Sequence, residues 1–285
     1  MKNLLPILLG GLFMLFSAGQ ANAQLQTPAA SPNAKATYSV GLSEVHIDYN
    51  RPSARDRVIF GGLVPYGEPW RTGANASSKI TFSDDVEIMG NALEAGTYSL
   101  FTVPGEEEWE IIFHSNLRHN TPGGRDASED ALVITVPSHH HEDAFVETFT
   151  ISLDYLRNNS AHIVIVWEST SVLIPFTVDT DAKVMANIER VMAGPSGRDY
   201  YVAAAYYLDE GKDFNQALKW MNKSIEKDGE RFWVLRTKGL IEKELGMKDA
   251  AIKSLNKSSE LAREMGNEGY PRMNNETIAE IKGKK

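Results

Sequence analysis

The stretch Val45-His46-Ile47-Asp48-Tyr49 decides the fold of the first half of the chain. Three apolar side chains alternate with two polar ones, the period of a strand that lays one face on a core. Working outward, similar short runs recur at 79–83, 86–89, 97–103, 110–114, 132–136, 145–153, 162–167 and 172–178. Between them stand Asp84-Asp85, Gly90-Asn91, Pro104-Gly105, Pro122-Gly123-Gly124 and Asn158-Asn159, residues that end ladders and reverse the chain. Eight or nine strands without an intervening long helix predict an antiparallel β-sandwich, or a barrel-like relative, over residues 36–179. A parallel sheet would need crossover helices that the pattern lacks.

After Asp179 the period changes. Val184, Ile188 and Val191 fall at helical spacing in 181–192, and Gly194-Pro195-Ser196-Gly197 breaks that helix. Residues 180–197 therefore read as a linker helix and loop between two domains. Beyond it, Ala217-Leu-Lys-Trp-Met-Asn-Lys-Ser224 recurs 34 residues later as Ala251-Ile-Lys-Ser-Leu-Asn-Lys-Ser258, with five of eight positions identical. The duplication resembles the tetratricopeptide repeat, with Gly211 and Gly246 in the inter-helix turns, and a last helix is expected near 276–281. The fold class expected is thus β plus α in two domains, the second a short tetratricopeptide-like helical hairpin array over 198–285. Its aromatic residues, among them Tyr200, Tyr201, Trp220 and Trp233, are expected mainly in the helix–helix core. Those left on a concave face would be available to a protein or peptide partner.

Composition narrows the function. Hydrophobic residues make up 42% of the 285, enough for real cores. Lys and Arg total 29 against 38 Asp and Glu, a net charge of −9 without a basic run, which argues against nucleic acid as partner. Zero cysteines exclude disulfides, thiolate metal sites and a Cys nucleophile. Lys2, the apolar stretch 4–16 and Ala21-Asn22-Ala23 read as a signal peptide over 1–23 cleaved near Ala23, followed by a flexible polar leader at 24–35. Export to the periplasm or beyond is the expectation, with no integral membrane segment after cleavage.

The run Tyr49-Asn-Arg-Pro-Ser53, then Ile59-Phe-Gly-Gly-Leu-Val-Pro-Tyr-Gly-Glu-Pro-Trp-Arg-Thr-Gly-Ala-Asn75, closely resembles the domain of unknown function 2911 family. So do Leu93-Glu-Ala-Gly-Thr-Tyr-Ser-Leu-Phe-Thr-Val-Pro-Gly105 and Trp109-Glu-Ile-Ile-Phe113. The resemblance spans about residues 36–178. It implies an exported β-rich protein, sometimes with a helical-repeat tail, and supplies no catalytic residue.

The non-periodic loop 61–75 is the leading candidate site. In one reading Tyr66 and Trp70 form a stacking platform, while Arg71, Thr72 and Asn75 donate to a glycan or a small anionic ligand. In the other, Trp70 plugs one end of the β-domain, Arg71 is buried against Asp48, Asp84 or Asp85, and Gly73 and Asn75 take left-handed turn geometry. Arg51, Arg55 and Arg57 follow a strand and join Arg71 as a possible anion pocket, or else form a solvated loop. In His139-His140-His141, only His139 and His141 share a strand face, a weak zinc or copper site at best and more simply a polar loop. His114, His119 and His46 carry no metalloprotease spacing. No nucleophile elbow, Walker motif or dinucleotide fingerprint is present, so neither a catalytic set nor a cofactor is assigned.

Overall fold

A computed structural model describes residues 27–283 apart from His119 and Ala193. The expected signal peptide at 1–23 lies outside the described residues. Eleven β-strands occupy the first part of the described chain and six α-helices the rest.

The strands are β1 (Asn33–Val40), β2 (Ser43–Asn50), β3 (Ser78–Phe82), β4 (Val86–Ile88), β5 (Asn91–Leu93), β6 (Gly96–Pro104) and β7 (Glu108–His114). Then follow β8 (Asp130–His140), β9 (Val146–Asp154), β10 (Ser160–Glu168) and β11 (Thr170–Val178). All pairings are antiparallel, in the order β1-β2-β3-β6-β7-β8-β11-β10-β9, with the β4–β5 hairpin added to β11. β8 makes the corner. Its residues up to Pro137 pair with β7, and Ser138 to His140 pair with β11. At the opposite side the chain leaving β2 reaches β9, where Ala54 N–H donates to Glu147 O (2.8 Å) and Phe149 N–H to Pro52 O (2.9 Å). The sheet therefore almost closes on itself, the barrel-like form of the expected architecture.

Its inside is set by the alternation. Val45, Ile47 and Tyr49 are all buried, as their spacing requires, and meet Trp109, Phe113, Phe149 and Trp167 from other strands. Full burial of a side chain such as Ile47 contributes about 1.5–3 kcal/mol.

Two strands escape the apolar pattern, and one of them corrects a boundary. The leader expected at 24–35 ends early, because β1 already begins at Asn33. β1 is an edge strand with little to bury. Polar cross-strand pairs hold it instead, Lys35 to Asp48 (2.9 Å), Asn33 to Asp48 (2.7 Å) and Thr37 to His46 (2.8 Å). β5 has only three residues.

The helices are α1 (Thr180–Val191), α2 (Gly197–Asp209), α3 (Phe214–Asp228), α4 (Phe232–Glu244), α5 (Lys248–Glu264) and α6 (Gly269–Ile281). Ser196 and Asp199 form a capping box on α2, and Asp213 caps α3. α2 packs on α3 and α4 on α5, and α6, longer than its expected extent, covers α5. The duplicated octapeptides fall in α3 and α5. Ala217 and Ala251, Met221 and Leu255, Ser224 and Ser258 are all buried, so the repeated residues meet repeated environments. No helix among the described residues is long and apolar enough to cross a membrane.

α1 seats the helices on the β-domain. Lys183 pairs with Asp84 (2.5 Å), Thr180 Oγ1 donates to Asn158 O (2.7 Å), and Asp181 accepts from Tyr206 OH (2.6 Å) and pairs with Lys212 (2.7 Å). Gly41, at φ 57°, lies so close to Thr180 and Asn158 that a Cβ would have no room.

Candidate functional site

The loop 61–75 is laced onto β6 and carries a cavity beneath it. Trp70 N–H donates to Thr102 O (2.7 Å), Thr102 N–H returns to Trp70 O (2.9 Å), and Gly67 N–H donates to Pro104 O (2.8 Å). Burying one edge of Trp70 against the open end of the near-barrel offsets the entropy of ordering so long a loop. The Trp70 ring stacks on Trp167 (5.9 Å, 18°) and takes edge contacts from Phe149 (5.1 Å), Phe60 (6.1 Å) and Trp109 (6.4 Å). Its Nε1–H donates to Gly73 O at 3.1 Å. With one face on Trp167 and other rings around it, Trp70 packs against the core and turns only part of its surface to the cavity.

The other expected site residues divide. Trp70, Arg71 and Asn75 line one cavity of about 380 Å³, together with Arg57, Leu63 and Trp167. Tyr66, Thr72 and Arg51 do not line it. The Tyr66 ring covers Gly61, and burial together with Glu106 and Glu168 raises its hydroxyl pKa, surroundings hostile to an anion. Thr72 is fully buried, its Oγ1 donating to Thr102 Oγ1 (3.1 Å) and its carbonyl accepting from Ser78 Oγ. Arg51 binds Phe149 O (3.1 Å) and Thr150 Oγ1 (2.8 Å), so it closes the sheet on β9.

Arg71 is not buried against Asp48, Asp84 or Asp85. Its Nη1 donates to Asn75 O (2.7 Å), a carbonyl four residues on. Arg57 is held in the same manner, Nε on Ala54 O (2.9 Å) and Nη2 on Ser53 O (2.7 Å). Among the described residues no carboxylate lies within 4.0 Å of either guanidinium. Two permanent cations thus front one cavity in a chain of net charge −9, positioned by neutral carbonyls.

Backbone strain gathers at the same place. Seven non-glycine described residues have positive φ; of these Asn75 (63°) lines the cavity, and Arg55 (51°), Asp56 (58°), Thr72 (53°) and Glu168 (54°) are near it in sequence. Each lines the cavity or lies within two residues of one that does. Thr72 is β-branched, and such a residue in this region costs about 1–2 kcal/mol. Strain concentrated in this way is a mark of functional sites. Trp167 and Leu63 carried no sequence signal for the site, since one belongs to a regular strand and the other to the loop's apolar half.

The histidines make no comparable site. His139 faces Ser171 across the β8–β11 pairing, and His141 Nε2 hydrogen-bonds Ser171 Oγ at 2.8 Å. No group of three or more His, Asp or Glu side chains among the described residues is placed to hold a metal ion. His114 is fully buried, with Nδ1 2.8 Å from Asp130 Oδ1, and Asp130 also pairs with Arg125. His119 lies outside the described residues.

In the helical part, Tyr200 is buried, and Tyr207, Phe214 and Trp220 pack against the core. Tyr201 and Trp233 pack against the same core and also line a cavity of about 350 Å³ with Arg198 and Arg231, and the Arg231 guanidinium lies 5.5 Å from the Trp233 ring centroid.

No curated protein and no solved structure matches the chain. Residues 31–176 match the family model described as protein of unknown function (DUF2911), from β1 into β11 and including every residue that lines the cavity, and the chain belongs to that family.

Proposed function

We propose that this is an exported cell-envelope binding protein whose β-domain holds a small anionic ligand beneath the 61–75 loop. The single observation that carries the reading is the pair of guanidinium groups, Arg57 and Arg71, fronting one cavity with no carboxylate within 4.0 Å among the described residues. A cation left without a protein counter-charge and already positioned loses little entropy on meeting an anion. Electrostatic attraction is then spent on the ligand instead of on the fold. The neighbouring strain supports the same reading. The test is a thermal-shift titration with acetate, phosphate, sulfate and glucuronate at low ionic strength. A saturable rise in melting temperature that Arg71→Ala abolishes supports the site. If no anion moves the wild-type protein, the reading is wrong.

A second reading concerns the tail. The helices α2–α5 are taken as two tetratricopeptide-like hairpins that bind a protein partner. The cavity lined by the half-buried Tyr201 and Trp233 with Arg198 and Arg231 favours it, since aromatic and Arg side chains are the usual anchors of protein interfaces. Peptide-library selection on the protein, repeated on Trp233→Ala, tests it. Enrichment that survives the substitution unchanged would place the partner elsewhere.

A further inference from the structure

Resting on the anion reading above, the geometry points to a narrower ligand class: a small organic carboxylate with an apolar body. The two arginines are held by different atoms, and this decides what each has left to offer. Arg71 spends only Nη1 on the protein, on Asn75 O. Its Nε–H and one side of Nη2 remain without a protein acceptor among the described residues. These two parallel donors form the edge that grips the two oxygens of a carboxylate at once. Arg57 spends the equivalent edge, Nε and Nη2, on Ala54 O and Ser53 O. Three N–H donors remain on Arg57, the two of Nη1 and the second of Nη2, and the Nη1/Nη2 end is itself a two-pronged edge. Each arginine therefore keeps a pair of parallel donors, and either pair matches the two equivalent oxygens of a planar carboxylate.

The rest of the lining is mixed, with Ser31, Gly73, Ala74 and Asn75 beside five larger apolar residues. Of those five, Leu63 is 48% exposed and Trp70 half-buried, while Pro52, Val64 and Trp167 are buried behind them, so the apolar surface on offer is that of Leu63 and Trp70. A bare inorganic anion would leave these groups in contact with water. At about 380 Å³ the cavity falls at the small end of the range that holds organic ligands, about 300–1,000 Å³. A carboxylate on Arg71 with its apolar body over Leu63 uses both halves of the site.

The test is isothermal titration of the purified full chain with four probes: acetate, phenylacetate, uncharged phenylacetamide and inorganic phosphate. Phenylacetate should bind at least about tenfold more tightly than acetate or phosphate, and phenylacetamide should not bind measurably. Arg71→Lys keeps the charge and removes the fork, and should weaken phenylacetate by about tenfold. Leu63→Asn, at an exposed position that folding tolerates, should weaken phenylacetate while leaving acetate unchanged. Phosphate binding as tight as phenylacetate, with Arg71→Lys neutral, would leave the anion site standing and overturn the carboxylate class. An unchanged phenylacetate-to-acetate ratio in Leu63→Asn would overturn it equally. Failure of every probe on the wild-type protein would remove the anion reading as well.

Discussion

Replacing Trp70 with alanine distinguishes a loop built into the β-domain from one laid over it. Trp70 has four aromatic neighbours, with ring centroids between 5.1 and 6.4 Å away. Truncating a Trp in such surroundings costs about 3–5 kcal/mol through lost transfer free energy and the void left behind. Two features move the figure in opposite directions. One edge of Trp70 already fronts a cavity of about 380 Å³, so water fills part of the void, which favours the lower end. Against this, the Gly73 carbonyl loses its indole donor, and Gly73 is buried. An unsatisfied buried acceptor costs about 1–3 kcal/mol. We expect a net loss of about 3–4 kcal/mol, a large part of a domain stability of about 5–15 kcal/mol. Hydrogen-exchange mass spectrometry along a urea titration resolves the two halves of the chain. Peptides over β7 and β10, which carry Trp109 and Trp167, should lose protection at lower urea. Peptides over α3 and α5 should not move. A loss below about 1 kcal/mol would refute the plug, and Trp70 would then be free to serve as a ligand platform after all.

Three further outcomes follow from the geometry. Gly41→Ala forces a side chain into Thr180 and Asn158 at φ 57°, so α1 should detach from the β-domain, read as faster proteolysis between α1 and α2. Cleavage at the wild-type rate would show that this seat does not hold the helices. The Lys183 hydrogen bond, aided by Ser83, brings the Asp84 pKa down to about 2. Because the folded value is depressed, the pair contributes above about pH 4 and fades as pH falls through 2, by less than about 1 kcal/mol after screening. The gap in melting temperature between wild type and Lys183→Ala should accordingly narrow from pH 7 to pH 2, and a constant gap would contradict it. Asn274, fully buried, donates to Leu255 O (3.1 Å), Ser258 Oγ (3.0 Å) and Ser259 Oγ (3.1 Å) and accepts from Arg236 (2.7 Å). Asn274→Ala should cost about 2–4 kcal/mol in urea unfolding followed at 222 nm, and a shift under about 1 kcal/mol would mean that water replaces the network.

What the sequence made legible was whatever repeats at short range. Val45, Ile47 and Tyr49 announce a strand because each neighbour reports on the same face, and the octapeptide at 217–224 announces α3 because its copy lies in α5. β1 went unread for the converse reason. An edge strand held by Lys35, Asn33 and Thr37 buries too little to leave an apolar alternation. The site divides along the same line. Arg51 and Arg71 are the same residue type in neighbouring loops, yet Arg51 is consumed by β9, some 98 positions away, and Arg71 by a carbonyl only four residues on. No local pattern separates a guanidinium that finishes the fold from one that remains available. What separates them is which distant groups closure of the sheet brings near, and for Arg57 and Arg71 no carboxylate among the described residues comes within 4.0 Å. Among the described arginines only Arg125 has a carboxylate within 4.0 Å, so what singles out Arg57 and Arg71 is the cavity they share. The proposed anion site therefore rests on two guanidiniums that front one cavity and keep N–H donors unused by the fold, a placement that only closure of the sheet creates.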